Sequence, residues 1–129
     1  MIEKNFQSLF TKWIRKNPPN ESCAFELKIV KKGAMPFSAV AEHQIDGLHA
    51  AEWRGMYHKI SDMSREKKPF DCFYMYGAKA YLVVWWYKPR QPKEMIWIDI
   101  SSLMTEMTFS KRKSLTEARA KEIGMVVPF

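Results

Sequence analysis

Cysteine is nearly absent: Cys23 and Cys72 are the only two in 129 residues. Neither sits in a CxxC pair, and no Cys/His cluster has the spacing of a zinc site. A disulfide scaffold and a zinc ribbon are thereby excluded. Both cysteines lie in apolar runs, which predicts buried free thiols in a reducing compartment. Long hydrophobic runs are missing too. The longest, AYLVVWWY at residues 80–87, is far short of a membrane span and reads as a buried strand. The first residues, MIEKNFQSLF, are too polar for a signal peptide, so the expected location is the cytoplasm, with no membrane partner. Repeats, low-complexity tracts and linkers are absent, so residues 1–129 are expected to form a single domain.

What is present is a globular composition with a basic excess. Hydrophobic residues make up 47% and charged residues 27%, which suits a packed core. There are 21 Lys+Arg against 14 Asp+Glu, a net charge of +7. That balance favours an anionic partner, nucleic acid before an acidic membrane surface.

Ile2, Phe6, Leu9, Phe10 and Trp13 recur at helical spacing and predict a helix over 2–16, stopped by Asn17-Pro18-Pro19. CAFELKIV at 23–30 reads as a strand. Alternation puts Phe25, Leu27 and Ile29 on one face, Glu26 and Lys28 on the other. A second helix is expected from Pro36-Phe37-Ser38, with Ser38 as N-cap, to about Arg54. Its stripe Val40, Gln44, Gly47, Ala51 is mostly small and carries Gln44 towards a sheet. A short strand is expected at 56–60. Residues 70–76 and 79–87 are expected to be two strands about a Gly77-Ala78 turn, and 95–100 another strand. Ser114 to Glu117 reads as a capping box for a last helix over 115–123, stopped by Gly124. The order predicts one α/β domain with a mixed β-sheet flanked by helices.

Glu26-Leu27-Lys28 carries the chemistry. A carboxylate and an ammonium two apart on a rigid strand suit phosphodiester hydrolysis. The carboxylate can hold Mg2+, a hard cation that keeps several waters, acidifies water and neutralises phosphate charge. The ammonium can orient the attacking water or stabilise the developing negative charge. E-x-K alone is a common strand pattern, so its context matters. His43, His49 and His58 have neither nucleophile context nor zinc-ligand spacing.

FELK, then Pro36-Phe37, then His43-Gln44 resembles the RecU branch of Holliday junction resolvases. That branch has an E-x-K strand, a basic stretch, a Pro-Phe step and a helix bearing His-Gln. KISDMSREKKPFDCF and RKSLTEARAKEIG are similar to small phage or prophage proteins of the group. The resemblance spans Phe6 to Gly124. It implies the PD-(D/E)xK, restriction-endonuclease-like fold, a Mg2+ or Mn2+ cofactor, a homodimer and branched double-stranded DNA as substrate in recombination and repair. Such proteins normally carry an Asp on the strand before E-x-K. Here NPPNESCAF offers none. Asp71, in Pro69-Phe70-Asp71 ahead of a strand-turn-strand, is the expected substitute, with Asp62 as runner-up. Asp71 also has a plain alternative role as a strand-start turn residue.

The expected site is therefore Glu26 and Asp71 as metal ligands, Lys28 beside the attacking water, and Gln44 and Glu3 in support. Glu3 would match a helix-borne Glu of the group, or simply favour the first helical turn. Gln44 would hold a water or phosphate, or be a paired core amide. Basic clusters lie at Lys12 to Lys16, Lys31-Lys32, Arg65 to Lys68, Lys88 to Lys93 and Lys111 to Lys113. Lys31 and Lys32, with Lys67 and Lys68, are the expected DNA contacts. The alternatives are a flap nuclease of the same fold and a DNA-binding module without catalysis.

Overall fold

Phe6 and Phe10 stand one helical turn apart and are both buried. Their stripe turns Ile2–Lys16 into α1 and docks it on β1, Cys23–Val30. The structure is a computed structural model; it describes residues 2–61 and 68–129, with side chains from residue 5 onward. The described residues form one small α/β domain with a mixed sheet.

β2 (Met35–Pro36) and a single 3-10 turn, Phe37–Ala39, lead into α2, Glu42–His49. α2 runs on as a π-helical turn, Ala50–Arg54. β3 (Met56–Lys59), β4 (Cys72–Met75), β5 (Lys79–Trp86) and β6 (Glu94–Asp99) follow. The chain ends with α3 (Ile100–Phe109), β7 (Ser114–Leu115), α4 (Glu117–Ile123) and β8 (Met125–Pro128).

The main sheet has the order β1-β5-β6-β8. β1 and β5 are parallel; the other two pairings are antiparallel. β2-β7 and β3-β4 form two separate two-stranded ribbons. On one sheet face, α1 covers an aromatic cluster of Phe6, Phe10, Phe25, Trp85 and Trp97. Phe10, for example, meets Phe25 edge-on at 5.0 Å. On the other face, Leu82, Val84, Ile96 and Ile98 pack with Leu48, Leu103 and Ala120 of α2, α3 and α4. Both faces of β5 are thus buried, as a central strand requires.

Several expectations need correcting. α2 starts at Glu42 with Ala41 as its cap, not Ser38. Residues 72–75 and 79–86 do not pair across Gly77-Ala78. β4 pairs with β3, and β5 with β1 and β6. Gly77, at φ +72°, lets the chain leave the ribbon, and Ala78 N–H donates to the Ala51 carbonyl at 3.1 Å. Ser114-Leu115 is strand, so Thr116 caps α4 by accepting from Arg119 N–H at 3.1 Å. α3 and β8 are elements that the sequence pattern above does not predict. Cys72 is exposed, not buried, and Cys23 is half-buried; both are free thiols. Among the described residues, no helix is long and apolar enough to cross a membrane.

Candidate active site

Strand alternation sends Phe25, Leu27 and Ile29 into the aromatic layer beneath α1. The intervening residues face the other way, where Ala24 and Val30 join the core under α2 to α4. Glu26 and Lys28 stand between them on that same face. Two charges therefore interrupt an apolar column. Their cross-strand neighbours on β5 are Leu82 and Val84, whose side chains offer no hydrogen bonds. The two pair with each other instead, Lys28 Nζ 3.7 Å from Glu26 Oε2, with 18% and 28% of their side chains exposed. The column tolerates them because β1 is an edge strand and the pair keeps partial access to water.

α2 supplies the opposite wall. A cleft of about 210 Å³ is lined by Ala24, Glu26, His43, Gln44, Gly47 and Met56. Gly47 faces Met56, which closes the cleft from β3. Gln44 has a structural task as well: its Oε1 accepts from Ala41 N–H at 3.0 Å, the return arm of an N-terminal helix cap. That fixes the amide plane. Its Nε2 donates to no protein group among the described residues. The structure thus brings together Glu26, Lys28 and Gln44.

Asp71 stands elsewhere. It precedes β4 on the β3-β4 ribbon, its carboxylate 87% exposed and 3.2 Å from Lys68 Nζ. Its carbonyl accepts from Ile60 N–H at 2.8 Å. Met75, across from Met56, marks the cleft end of the ribbon. Asp71 is four residues further, about 13 Å at strand spacing. Here it does the work of an ion-paired strand-start residue. Glu3's side chain, Asp62 and Lys67 lie outside the described residues. Lys31 and Lys32 are exposed in the turn after β1, and Lys68 is engaged by Asp71.

His43 lines the cleft beside Gln44. Sequence reasoning misses that position by weighing the histidines only as nucleophile partners or zinc ligands. The signal is its place in His-Gln at the start of the small-residue helix. His49 Nδ1 accepts from Arg54 Nε at 3.0 Å, and His58 packs against Phe73; both are structural.

The donor set can be compared with the cation that E-x-K implies. Mg2+ is commonly held by one or two carboxylates, the rest of its shell being water and phosphate oxygen. Glu26 supplies one such oxygen donor, partly exposed at an open cleft, which fits the one-carboxylate case. Among the described residues, no group of three or more His, Cys, Asp or Glu side chains is placed to hold a metal ion. The fit is thus to a largely hydrated cation and not to a cage of protein ligands.

No family model matches the chain, and no curated protein or solved structure matches it either.

Proposed function

We propose that the chain is a Mg2+- or Mn2+-dependent endonuclease of the PD-(D/E)xK kind. On this reading it cuts branched double-stranded DNA as a Holliday junction resolvase. The observation that carries the reading is the Glu26-Lys28 pair on the helix-covered face of an edge strand, with Gln44 on the opposing wall. A carboxylate and an amide donor lining one open cleft, with an ammonium paired to that carboxylate, are groups a phosphodiester in hydrolysis calls for.

Glu26 would hold the cation, which when bound acidifies water and neutralises phosphate charge. Lys28 is pre-aimed by its ion pair at the Glu26 carboxylate. On this reading its ammonium would face the attacking water and the phosphate oxygens held at Glu26. Gln44 Nε2 would donate to a phosphate oxygen, its plane held by the Ala41 hydrogen bond. On this reading the cation rests on Glu26 and water, since Asp71 stands away from the cleft with Lys68. Two symmetric cuts across a four-way junction call for a homodimer.

The test is cleavage of a synthetic four-way junction, a flap and a linear duplex, with Mg2+ or with chelator. Lys28→Ala and Glu26→Gln should each lower the junction-cutting rate roughly 100-fold or more. Equal cutting by wild type and both variants would overturn the mechanism, and cutting of the flap alone would shift the substrate. Asp71→Asn and Asp62→Asn test whether either carboxylate takes part: lost cleavage in a folded variant would add that residue to the site.

One observation favours a second reading, a DNA-binding module without catalysis. Asp71 sits on a different sheet from Glu26, exposed and engaged by Lys68. Under that reading all the variants bind junctions as wild type does, and none cuts.

A further inference from the structure

Three basic segments far apart in the chain meet at one end of the main sheet. β1 and β5 are parallel, so the turns that leave them emerge together. Tyr87 N–H donates to the Val30 carbonyl at 2.9 Å, and Trp86 Nε1 donates to the Gly33 carbonyl at 2.9 Å. Those bonds hold the turn bearing Lys31 and Lys32 against the loop bearing Arg90. The third segment comes from about 80 residues further along the chain than Lys31. Phe37 N–H donates to the Lys113 carbonyl at 3.0 Å, and Met35 pairs with Leu115. The loop Lys111-Arg112-Lys113 is thereby fastened to the chain just after Lys31-Lys32.

All six cations are exposed. Among the described residues none of them is in an ion pair. The contrast with their neighbours is informative: Lys88 is held by Glu117 at 2.8 Å and Arg119 by Glu106 at 3.1 Å. The fold gathers six unpaired positive charges on backbone anchored by sheet ends, and their mutual repulsion is relieved by a polyanion.

We infer that this rim is a track for the sugar-phosphate backbone of duplex nucleic acid. The inference deepens the nuclease reading and rests only on its nucleic-acid half. Position supports it. Lys31 follows Lys28 by three residues, about 10 Å along the strand direction, or roughly three base-pair steps of one DNA strand. A duplex arm on the rim would thus lead towards the Glu26-Lys28 pair. An acidic membrane fits less well. The cations ride on loops instead of an amphipathic helix.

The test is fluorescence anisotropy of a labelled duplex without divalent metal, at several salt concentrations, so that it reads binding whether or not the protein cuts. Lys111→Ala/Arg112→Ala/Lys113→Ala and Lys31→Ala/Lys32→Ala should each weaken binding roughly tenfold or more. Each should also make the salt slope shallower by about 0.9 for every phosphate that is no longer neutralised. The control is Lys12→Ala/Arg15→Ala/Lys16→Ala, which removes the same charge as the triple variant from the end of α1, near the start of β1. It should change affinity less than about twofold by the same electrostatics. All substituted residues are exposed, and matching thermal melts establish that each variant is folded. Unchanged binding by the rim variants, or equal weakening in the control, overturns the track. So does a rim effect on phosphatidylserine vesicles that is absent on the duplex. Rim-dependent binding without cleavage leaves the track standing and removes the nuclease.

Discussion

Lys28 illustrates how a single side chain acquires chemistry from its setting. In a solvated strand its ammonium would contribute little. Here it is largely covered, faces apolar β5 and forms an ion pair with Glu26. Removing Glu26 leaves a largely covered charge without compensation, so Glu26→Ala should lower stability more than a double Glu26→Ala/Lys28→Met change does. Urea unfolding of both checks this. The two thiols should also differ. Cys72 is exposed and Cys23 half-buried, and burial, then the Glu21 carboxylate, push the Cys23 thiol up from its ordinary value. At pH 8 a disulfide reagent should therefore label Cys72 first, as peptide mapping would show. Tyr81 gives a pH prediction. Burial is the main cause raising its phenol above the ordinary 10.0. In the unfolded chain the phenol ionises near 10, while in the folded chain it stays neutral to higher pH. Its contribution is intact below about pH 10 and is lost as pH rises through the folded value. Tyr81→Phe should flatten the fall in stability as pH rises above about 10, a tyrosine's ordinary pKa.

At the scale of elements, local patterns are legible where one face of one element decides them. α1 and β1 follow directly from their apolar spacing. α3 carries the same kind of signal, since Ile100, Leu103, Met104 and Met107 recur at helical spacing and all pack on the core. The strand pattern at 95–100 masks it by absorbing Ile100, the first residue of α3; Asp99 ends β6 and its carboxylate caps the helix, accepting from Ser101 N–H at 3.2 Å. Asp99→Ala should cost about 1 kcal/mol in denaturant unfolding. The expected hairpin across Gly77-Ala78 fails for a different reason. A short turn between two apolar runs is a local signal, but β5 is apolar on both faces and takes β1 and β6 as neighbours. Gly124 shows how tightly the last turn is fitted. A Cβ there would stand 2.7 Å from the Trp97 carbonyl and 2.9 Å from Ile96 Cγ2. Gly124→Ala should therefore destabilise by about 1–3 kcal/mol, the range for an overpacked site, and lower the thermal midpoint accordingly.

Across the whole molecule, the sheet's polarity organises charge. The net +7 is visible in composition, but only the parallel pairing of β1 with β5 assembles Lys31, Lys32 and Arg90 at one end. Only the β2-β7 ribbon adds Lys111 to Lys113. The core that makes this possible is deep: Leu82, Val83 and Val84 are fully buried. Leu82→Ala should cost about 2–5 kcal/mol, and because β5 is central, it should loosen the cleft and the rim together. Denaturant unfolding followed by Trp fluorescence, together with duplex affinity, would register both.

Amino-acid order alone settles the elements whose burial is one-sided and local: α1, the two faces of β1, and the charged pair Glu26-Lys28 standing opposite its greasy neighbours. It also settles a helix bearing Gln44 on a small-residue stripe. Folding in three dimensions decides which strands pair, that Gln44 caps its own helix while facing Glu26, and that Asp71 lies on a separate ribbon with Lys68. The physical reason is that periodicity records which side of an element is apolar, whereas strand partners are chosen by competition among all the apolar faces at once. Glu26-Lys28 is legible in the eight residues of β1. The walls and the charged rim around it exist only once distant segments have packed together.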